Sequence, residues 1–321
     1  MRTPLVEFPN QDQTDSQKLF LKLENLQPIG AFKIRGAYNK IASFPPAERE
    51  AGVITYSSGN HGHGVAYAAR ALGIKAVIVM PRTAPAVKRD AVAGMGAEIV
   101  LVGPSSLERQ HRAEELARKH GYAIVPPFND ERIIAGQGTI GLEILEDLPQ
   151  VETVLVPVGG GGMISGIATA IKLSKPAVNV IGVEPELAAD AKASLDQGHI
   201  VESPAEQVSL TIADGLRTQS IGPINFEHIR NYVDKIVTVS EAEIREAVRR
   251  LATNPKTLAE PSGAVAVAAF LFHKEQLPNT TCFNVAVISG GNIEPKVLQE
   301  IQNEQAQSMP GFAPAAKPVA T

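Results

Sequence analysis

Cysteine is almost absent: the 321-residue chain has one, Cys282. A single thiol excludes an internal disulfide framework and any multi-cysteine zinc or iron–sulfur site, and it fits a reducing, cytoplasmic setting. Long apolar stretches are missing too. The longest, Ala264 to Phe272, has nine residues against the roughly 18 or more that cross a bilayer. The opening MRTPLVEFPNQDQ lacks the charged and apolar regions of a secretory signal, so no membrane is expected as a partner. Charge of one sign is equally scarce. Thirty Lys and Arg against 34 Asp and Glu give a net charge of −4, which argues against a nucleic-acid partner and against a polyacidic tail. What is present, 44% hydrophobic and 20% charged residues, is the composition of a globular protein with a real core, in one large domain or two ordinary ones. From Gln305 onward the chain turns to Ala and Pro with few large apolar groups, and residues 305–321 are expected to form a disordered tail.

Short runs rich in Val and Ile recur with helical patterns between them: 19–24, 52–57, 75–80, 98–103, 153–158, 179–184 and 283–289. Strands alternating with helices predict parallel sheets, and continuous rather than alternating apolar runs predict that helices cover both sheet faces. In such α/β folds ligands bind beyond the carboxyl ends of the strands. Three of those ends are unusual: SSGNHGHG after GVITY, GGGGMISG after TVLVPV and SGGNIEP after FNVAVI. Each is a glycine-rich loop entering a helix, where unshielded backbone N–H groups and the positive end of the helix dipole suit an anion.

Four consecutive glycines, Gly159 to Gly162, cost backbone entropy that a simple turn does not require. The residues alone leave a phosphate cradle and tight strand–helix packing both open. They are not a Walker loop, since Ile167 stands where lysine should follow Gly166, and not a dinucleotide fingerprint, since Gly160 and Gly162 lead to Ser165. Lys33 lies in GAFKIRGA between Phe32 and Ile34. A lysine so placed can be partly desolvated, its pKa lowered and its amine suited to Schiff-base chemistry. Taken by itself it reads equally as a surface lysine at a helix start.

LKLENLQPIGAFKIRGA, SSGNHG, GGGGMISG and SGGN, in this order and from Arg2-Thr3-Pro4-Leu5 to SGGNIEP, resemble the fold type II pyridoxal-phosphate enzymes, specifically the threonine dehydratase and serine racemase group. The resemblance implies a two-domain α/β fold similar to the tryptophan synthase β subunit. Residues 1–49 and 131–304 would form the large domain and 50–130 a small inserted one. It implies that Lys33 carries pyridoxal phosphate, that Phe32 sits beside the ring and that Asn60 binds its 3-hydroxyl. Gly159, Gly160, Gly161, Gly162 and Met163 would hold the phosphate, and Ser289 would meet the pyridine nitrogen. Ser57, Ser58, Gly59, Asn60 and His61 would capture the substrate carboxylate. The implied reaction is β-elimination from L-threonine or L-serine to a 2-oxo acid and ammonia, with the Lys33 amine taking the Cα proton. Ser58 matches the second acid/base of racemases of this group, which keeps serine racemisation as an alternative. Phe128, in PPFND, matches the dehydratase pattern. Arg109 aligns with an arginine that faces a second substrate carboxylate in the racemase, which adds 3-hydroxyaspartate, although its charged helix also reads as a solvated surface.

Glu184, Asp190 and the carbonyl of Ala188 match a divalent-cation site of the group, with oxygen ligands suited to Mg²⁺ or Ca²⁺. Asp214 and Glu260 match group motifs near the active site without an assigned role. The histidines other than His61 are expected at the surface or as caps, and Cys282 as a small buried hydrophobe. Two departures stand out: the chain lacks the helix that usually precedes RTPL, and no room follows SGGNIEP for the regulatory domain of biosynthetic threonine dehydratases. A cytoplasmic homodimer acting on a small amino acid is expected. Rivals from other classes are a phosphate-binding protein without this cofactor and a β-replacement enzyme.

Overall fold

The structure, a computed structural model, describes residues 1–9, 17–57, 59–103, 105–278 and 282–304. The expected tail, 305–321, lies outside them. Among the described residues ten strands form two sheets: β1 (Leu5–Phe8), β2 (Lys18–Leu23), β3 (Val53–Thr55), β4 (Ala76–Pro81), β5 (Glu98–Val102), β6 (Ala123–Ile124), β7 (Thr153–Pro157), β8 (Asn179–Pro185), β9 (Lys235–Val239) and β10 (Phe283–Ile288). The larger sheet has the order β1-β2-β10-β7-β8-β9 and the smaller β5-β4-β3-β6. All pairings are parallel except β1 against β2, an antiparallel edge. The seven apolar runs all become strands. β1, β6 and β9 are additions that the pattern of runs did not give.

The side-chain period of a strand puts successive residues on opposite faces, and both faces of the larger sheet are apolar. Leu19, Leu21, Leu23, Leu155 and Ala286 join one buried cluster, with the helices Glu241–Leu251 and Pro261–Phe272. Val154, Val156, Val285 and Val287 join the other, against the helices Glu131–Asp147 and Gly162–Ser174. Helices therefore cover both sides, as the continuous runs require. The smaller sheet repeats the arrangement, with Val53, Ile78 and Met80 on one face and Ile54, Val77 and Val79 on the other. The helix Lys33–Ala42 sends Ala37 and Ile41 into the first of these clusters, so the lysine helix is packed against the smaller sheet's core.

Helix Glu131–Asp147 touches two neighbours at glycine. A Cβ on Gly136 would meet the Arg35 carbonyl at 2.6 Å and the Gly36 Cα at 2.7 Å, and one on Gly166 would collide with the Ile134 carbonyl and the Gly138 amide. These atoms are backbone and cannot step aside, so the helices approach to a distance that only glycine permits. Cys282, expected inside, is exposed. It precedes the first residue of β10, and its N–H bonds to the Glu152 carboxylate at 2.5 Å, so the apolar interior starts one residue later than the sequence suggested.

Replacing Gly166 with Ala should destabilise the protein by about 1–3 kcal/mol through forced separation of two helices. Urea unfolding measures this as a lower midpoint at unchanged slope, and an unchanged midpoint would show that the contact is loose.

Candidate active site

Between the carboxyl ends of the two sheets lies a cavity of about 800 Å³. Phe32, Lys33, Ser57, Gly59, Asn60, His61, Arg109, the four glycines 159–162, Met163 and Ser289 all line it. Residues drawn from five separate stretches of sequence are thus brought to one place. Ser58, expected as the second acid/base, lies outside the described residues. Glu184, Ala188 and Asp190 are not among the lining residues and form a separate buried group.

Lys33 is the first residue of its helix, Lys33–Ala42. Its Nζ donates to the Pro127 carbonyl at 2.8 Å and lies 5.2 Å from the Phe32 ring centroid. Among the described residues that carbonyl is its only hydrogen-bonding partner, and burial brings the amine from 10.5 down to about 8 because the charged form loses its hydration. The helix start is pinned from the other side by β10: the Phe32 N–H donates to the Ser289 carbonyl at 3.0 Å, and Ala31 bridges to Gly290.

The tetraglycine loop opens the helix Gly162–Ser174, capped by Gly161 at φ +91°, a conformation that favours glycine. A Cβ on Gly160 would enter the Phe128 ring, on Gly162 it would meet Phe128 at 3.0 Å, and on Gly161 it would meet Asn225 at 2.8 Å. The first N–H groups of a 13-residue helix have no partners within it. The loop is therefore a cradle that side chains would fill, open to an anion.

His61 is buried and shares a hydrogen bond between Nε2 and the Val125 carbonyl at 3.0 Å. Burial, followed by the nearby Lys33 charge, pushes its pKa down to about 3, so the ring is neutral and its bonded nitrogen carries the proton. Asn60 opens the helix Asn60–Ala71. Its amide donates to Glu260 and its oxygen accepts from Asn292, each at 2.8 Å. Glu260 is itself pushed up to about 7 by burial and then by Asp214. The Ser289 hydroxyl donates to the Ser262 carbonyl at 3.4 Å, and Arg109 is half-buried at the wall, its pKa lowered by the same desolvation.

Glu260, unassigned in the sequence, thus acquires a place beside Asn60, and Asp214 a place in the cavity lining close enough to act on Glu260. Asn292, Lys88 and Glu294 also line the cavity. SGGN could have flagged Asn292, but Lys88 and Glu294 carried no signal, because their 3.2 Å ion pair joins residues far apart in the chain. His63, expected at the surface, is a half-buried wall residue whose Nε2 meets the Lys88 carbonyl at 3.4 Å. It sits one helical turn from the cavity loop and follows it inward.

Because only the neutral amine is a nucleophile, acylation of Lys33 in the cofactor-free chain should rise through a half-point near pH 8. Peptide mass analysis across pH 6–11 checks it. A profile matching the other lysines would show that burial does not act on this amine.

The family described as "Pyridoxal-phosphate dependent enzyme" matches residues 1–290. The chain is 46% identical to an L-threonine ammonia-lyase of Thermotoga maritima over 305 residues, 94% of this chain and 74% of the relative. It is 43% identical to a catabolic L-threonine dehydratase of Staphylococcus aureus, over 91% of this chain and 84% of that one. The solved structure of maize serine racemase superposes with a TM-score of 0.88 at 36% identity, covering 94% of this chain and 91% of the other. The chain accordingly belongs to the pyridoxal-phosphate dependent enzymes.

Proposed function

We propose that the protein removes water and ammonia from L-threonine or L-serine, giving 2-oxobutyrate or pyruvate, with Lys33 as the residue that bears pyridoxal phosphate. The observation that carries the reading is Lys33 itself, an amine lowered to about 8 in a cavity that also holds the tetraglycine cradle. The residues fit the cofactor. The cradle suits its phosphate, Phe32 and Asn60 suit its ring, and the Ser289 hydroxyl can meet a ring nitrogen without forcing it to stay protonated. When bound, the cofactor supplies an aldehyde that captures the substrate amine and an electron sink that acidifies Cα.

The chain's own residues do the rest. The N–H groups and hydroxyl of Ser57 and residues 59–61, at a helix start, hold the substrate carboxylate. Lys33, whose lowered pKa makes the neutral amine more accessible than in an ordinary lysine, takes the Cα proton. Neutral His61 adds no charge beside that amine, and the loop against Phe128 limits water at the cradle. The smaller unit, about residues 50–130, is read as an inserted domain that closes on residues 1–49 and 131–304. Across the cleft the two are linked by polar contacts, Asn60 to Glu260 and Asn292 and Lys88 to Glu294, which can break and re-form. The chain is read as a cytoplasmic homodimer; Tyr38 and Leu142, on the neighbouring helices Lys33–Ala42 and Glu131–Asp147, are exposed apolar groups suited to a partner.

Serine racemisation is the second reading, supported by Ser58 in the sequence and by the likeness to maize serine racemase. Arg109 in the cavity wall supports 3-hydroxyaspartate as a further substrate. A Mg²⁺ or Ca²⁺ site is placed at Glu184, Asp190 and the Ala188 carbonyl. Both Asp190 oxygens are buried, which pushes that carboxyl up to about 7, while Glu184 accepts from the Ala191 and Lys192 N–H groups at 3.0 and 2.8 Å. Among the described residues no cluster of three metal-ligating side chains exists, so backbone carbonyls and water must complete the shell.

Purified protein loaded with the cofactor should release 2-oxo acid from L-threonine and L-serine, and Lys33→Ala should lower the rate by at least about 10³-fold. Chiral analysis of residual serine separates the two readings, and L-threo-3-hydroxyaspartate turnover that falls with Arg109→Ala tests the third. Neither keto acid nor D-serine from a cofactor-bound protein would refute elimination and racemisation together. Mg²⁺ or Ca²⁺ well above its Kd should stabilise the chain by about 2–4 kcal/mol. Thermal melts with and without chelator read the effect, and Asp190→Ala should abolish it.

A further inference from the structure

The lysine helix carries a second basic side chain with no place in the cavity. Two residues along a helix lie about 200° apart around its axis, so Arg35 points away from the side that presents Lys33. There its side chain is 5% exposed and all five N–H donors are used. Nε and Nη2 donate to the Glu24 carboxylate at 2.7 and 2.8 Å, Nη1 and Nη2 to the Glu143 carboxylate at 2.6 and 2.8 Å, and Nη1 to the Thr139 hydroxyl at 3.0 Å. Glu24, fully buried, also accepts from Thr3 Oγ1 at 2.5 Å and Gln27 at 3.1 Å. Glu143 also pairs with the fully buried Lys22 at 2.7 Å. The cluster ties the lysine helix to β2, to the segment before β1 and to helix Glu131–Asp147.

Buried ion clusters of this kind add little stability over apolar packing of the same volume, because desolvation offsets attraction. What they add is direction, since the guanidinium fork accepts its partners in one plane and at fixed spacing. The glycine contacts alone do not supply that. Gly64 packs against the Lys33 backbone and Gly136 against the Arg35 carbonyl, which limits how far the helix stands from its neighbours but leaves it free to turn about its axis.

We propose that Arg35, held by Glu24 and Glu143, is a positioning residue that sets the rotation and depth of the lysine helix and thereby the place of the Lys33 amine. The inference rests on the reading of Lys33 as the cofactor-bearing residue. A lysine at position 35 keeps the charge but not the planar fork, so the helix can turn and the amine moves relative to the cradle.

The test uses the full chain freed of cofactor. Pyridoxal phosphate is added, the bond to Lys33 is trapped by borohydride and counted by peptide mass, and its rate of formation is followed from pH 6 to 11. Melting temperature is read on the same samples. Arg35→Lys and, should that fail to fold, the paired Arg35→Met/Glu24→Gln are compared with Val248→Ala, a core variant on the far face of the larger sheet. Trapping should slow by about tenfold or more in the Arg35 variants and its half-point should shift, while the core variant, at a similar melting loss, stays within about twofold of the parent. Arg35 variants that trap at the parent rate, or that slow only as much as the core variant, overturn the proposal. No trapped bond on Lys33 in the parent chain overturns it together with the Lys33 reading. A bond in the parent that forms equally well in the variants overturns this proposal alone.

Discussion

Keeping an amine out of water while leaving it reachable by a ligand is the constraint on which the rest of this molecule depends. Lys33 meets it because its helix begins at the cleft, with Phe32 hydrogen-bonded to the end of β10 and the Pro127 carbonyl taking the ammonium. Among the described residues no carboxylate bonds to it. Had Glu260 reached the amine, an ion pair would have held the proton on and raised the pKa instead of lowering it. That carboxyl is turned to Asn60, and its own burial favours the neutral acid.

The same constraint explains the company. A neutral His61 and the Asn60–Asn292 amide pair add polarity without charge to a wall that also carries Arg109 and the Lys88–Glu294 ion pair. The helix's other charges are paired: Arg35 by five hydrogen bonds on the side away from Lys33, and Lys40 by Asp130 at 2.7 Å.

Much of this was legible in the sequence and some was not, for physical reasons. Runs such as KAVIVM announce strands because a parallel sheet covered on both faces needs apolar residues at every position. β6 has two residues and β1 is a short antiparallel edge with exposed Glu7, so neither carries that pattern. The glycine loops were legible because backbone that approaches an anion leaves glycine at fixed positions. Lys88 with Glu294, and Asn60 with Glu260, were hidden because each joins segments about 200 residues apart, and nothing local distinguishes such a residue from a solvated one. Cys282 misled because chemistry alone does not say on which side of a strand's first residue the interior begins. The resemblance of the motifs pointed to Lys33, and the fold adds that its amine is buried and its pKa lowered.

The glycine contacts of helix Glu131–Asp147 carry one more consequence. Through Gly136 it touches the backbone of the lysine helix, and through Gly138 and Gly166 the backbone of the helix that opens at the tetraglycine loop. The two ends of the ligand site are therefore fastened to a single rigid rod, backbone against backbone, with no side chain between to flex. The glycine contacts set the spacing of the two helices and Arg35 the rotation of the first, and together they make the site a gauge: an aldehyde and a phosphate joined by a longer or shorter ring would engage one end and miss the other.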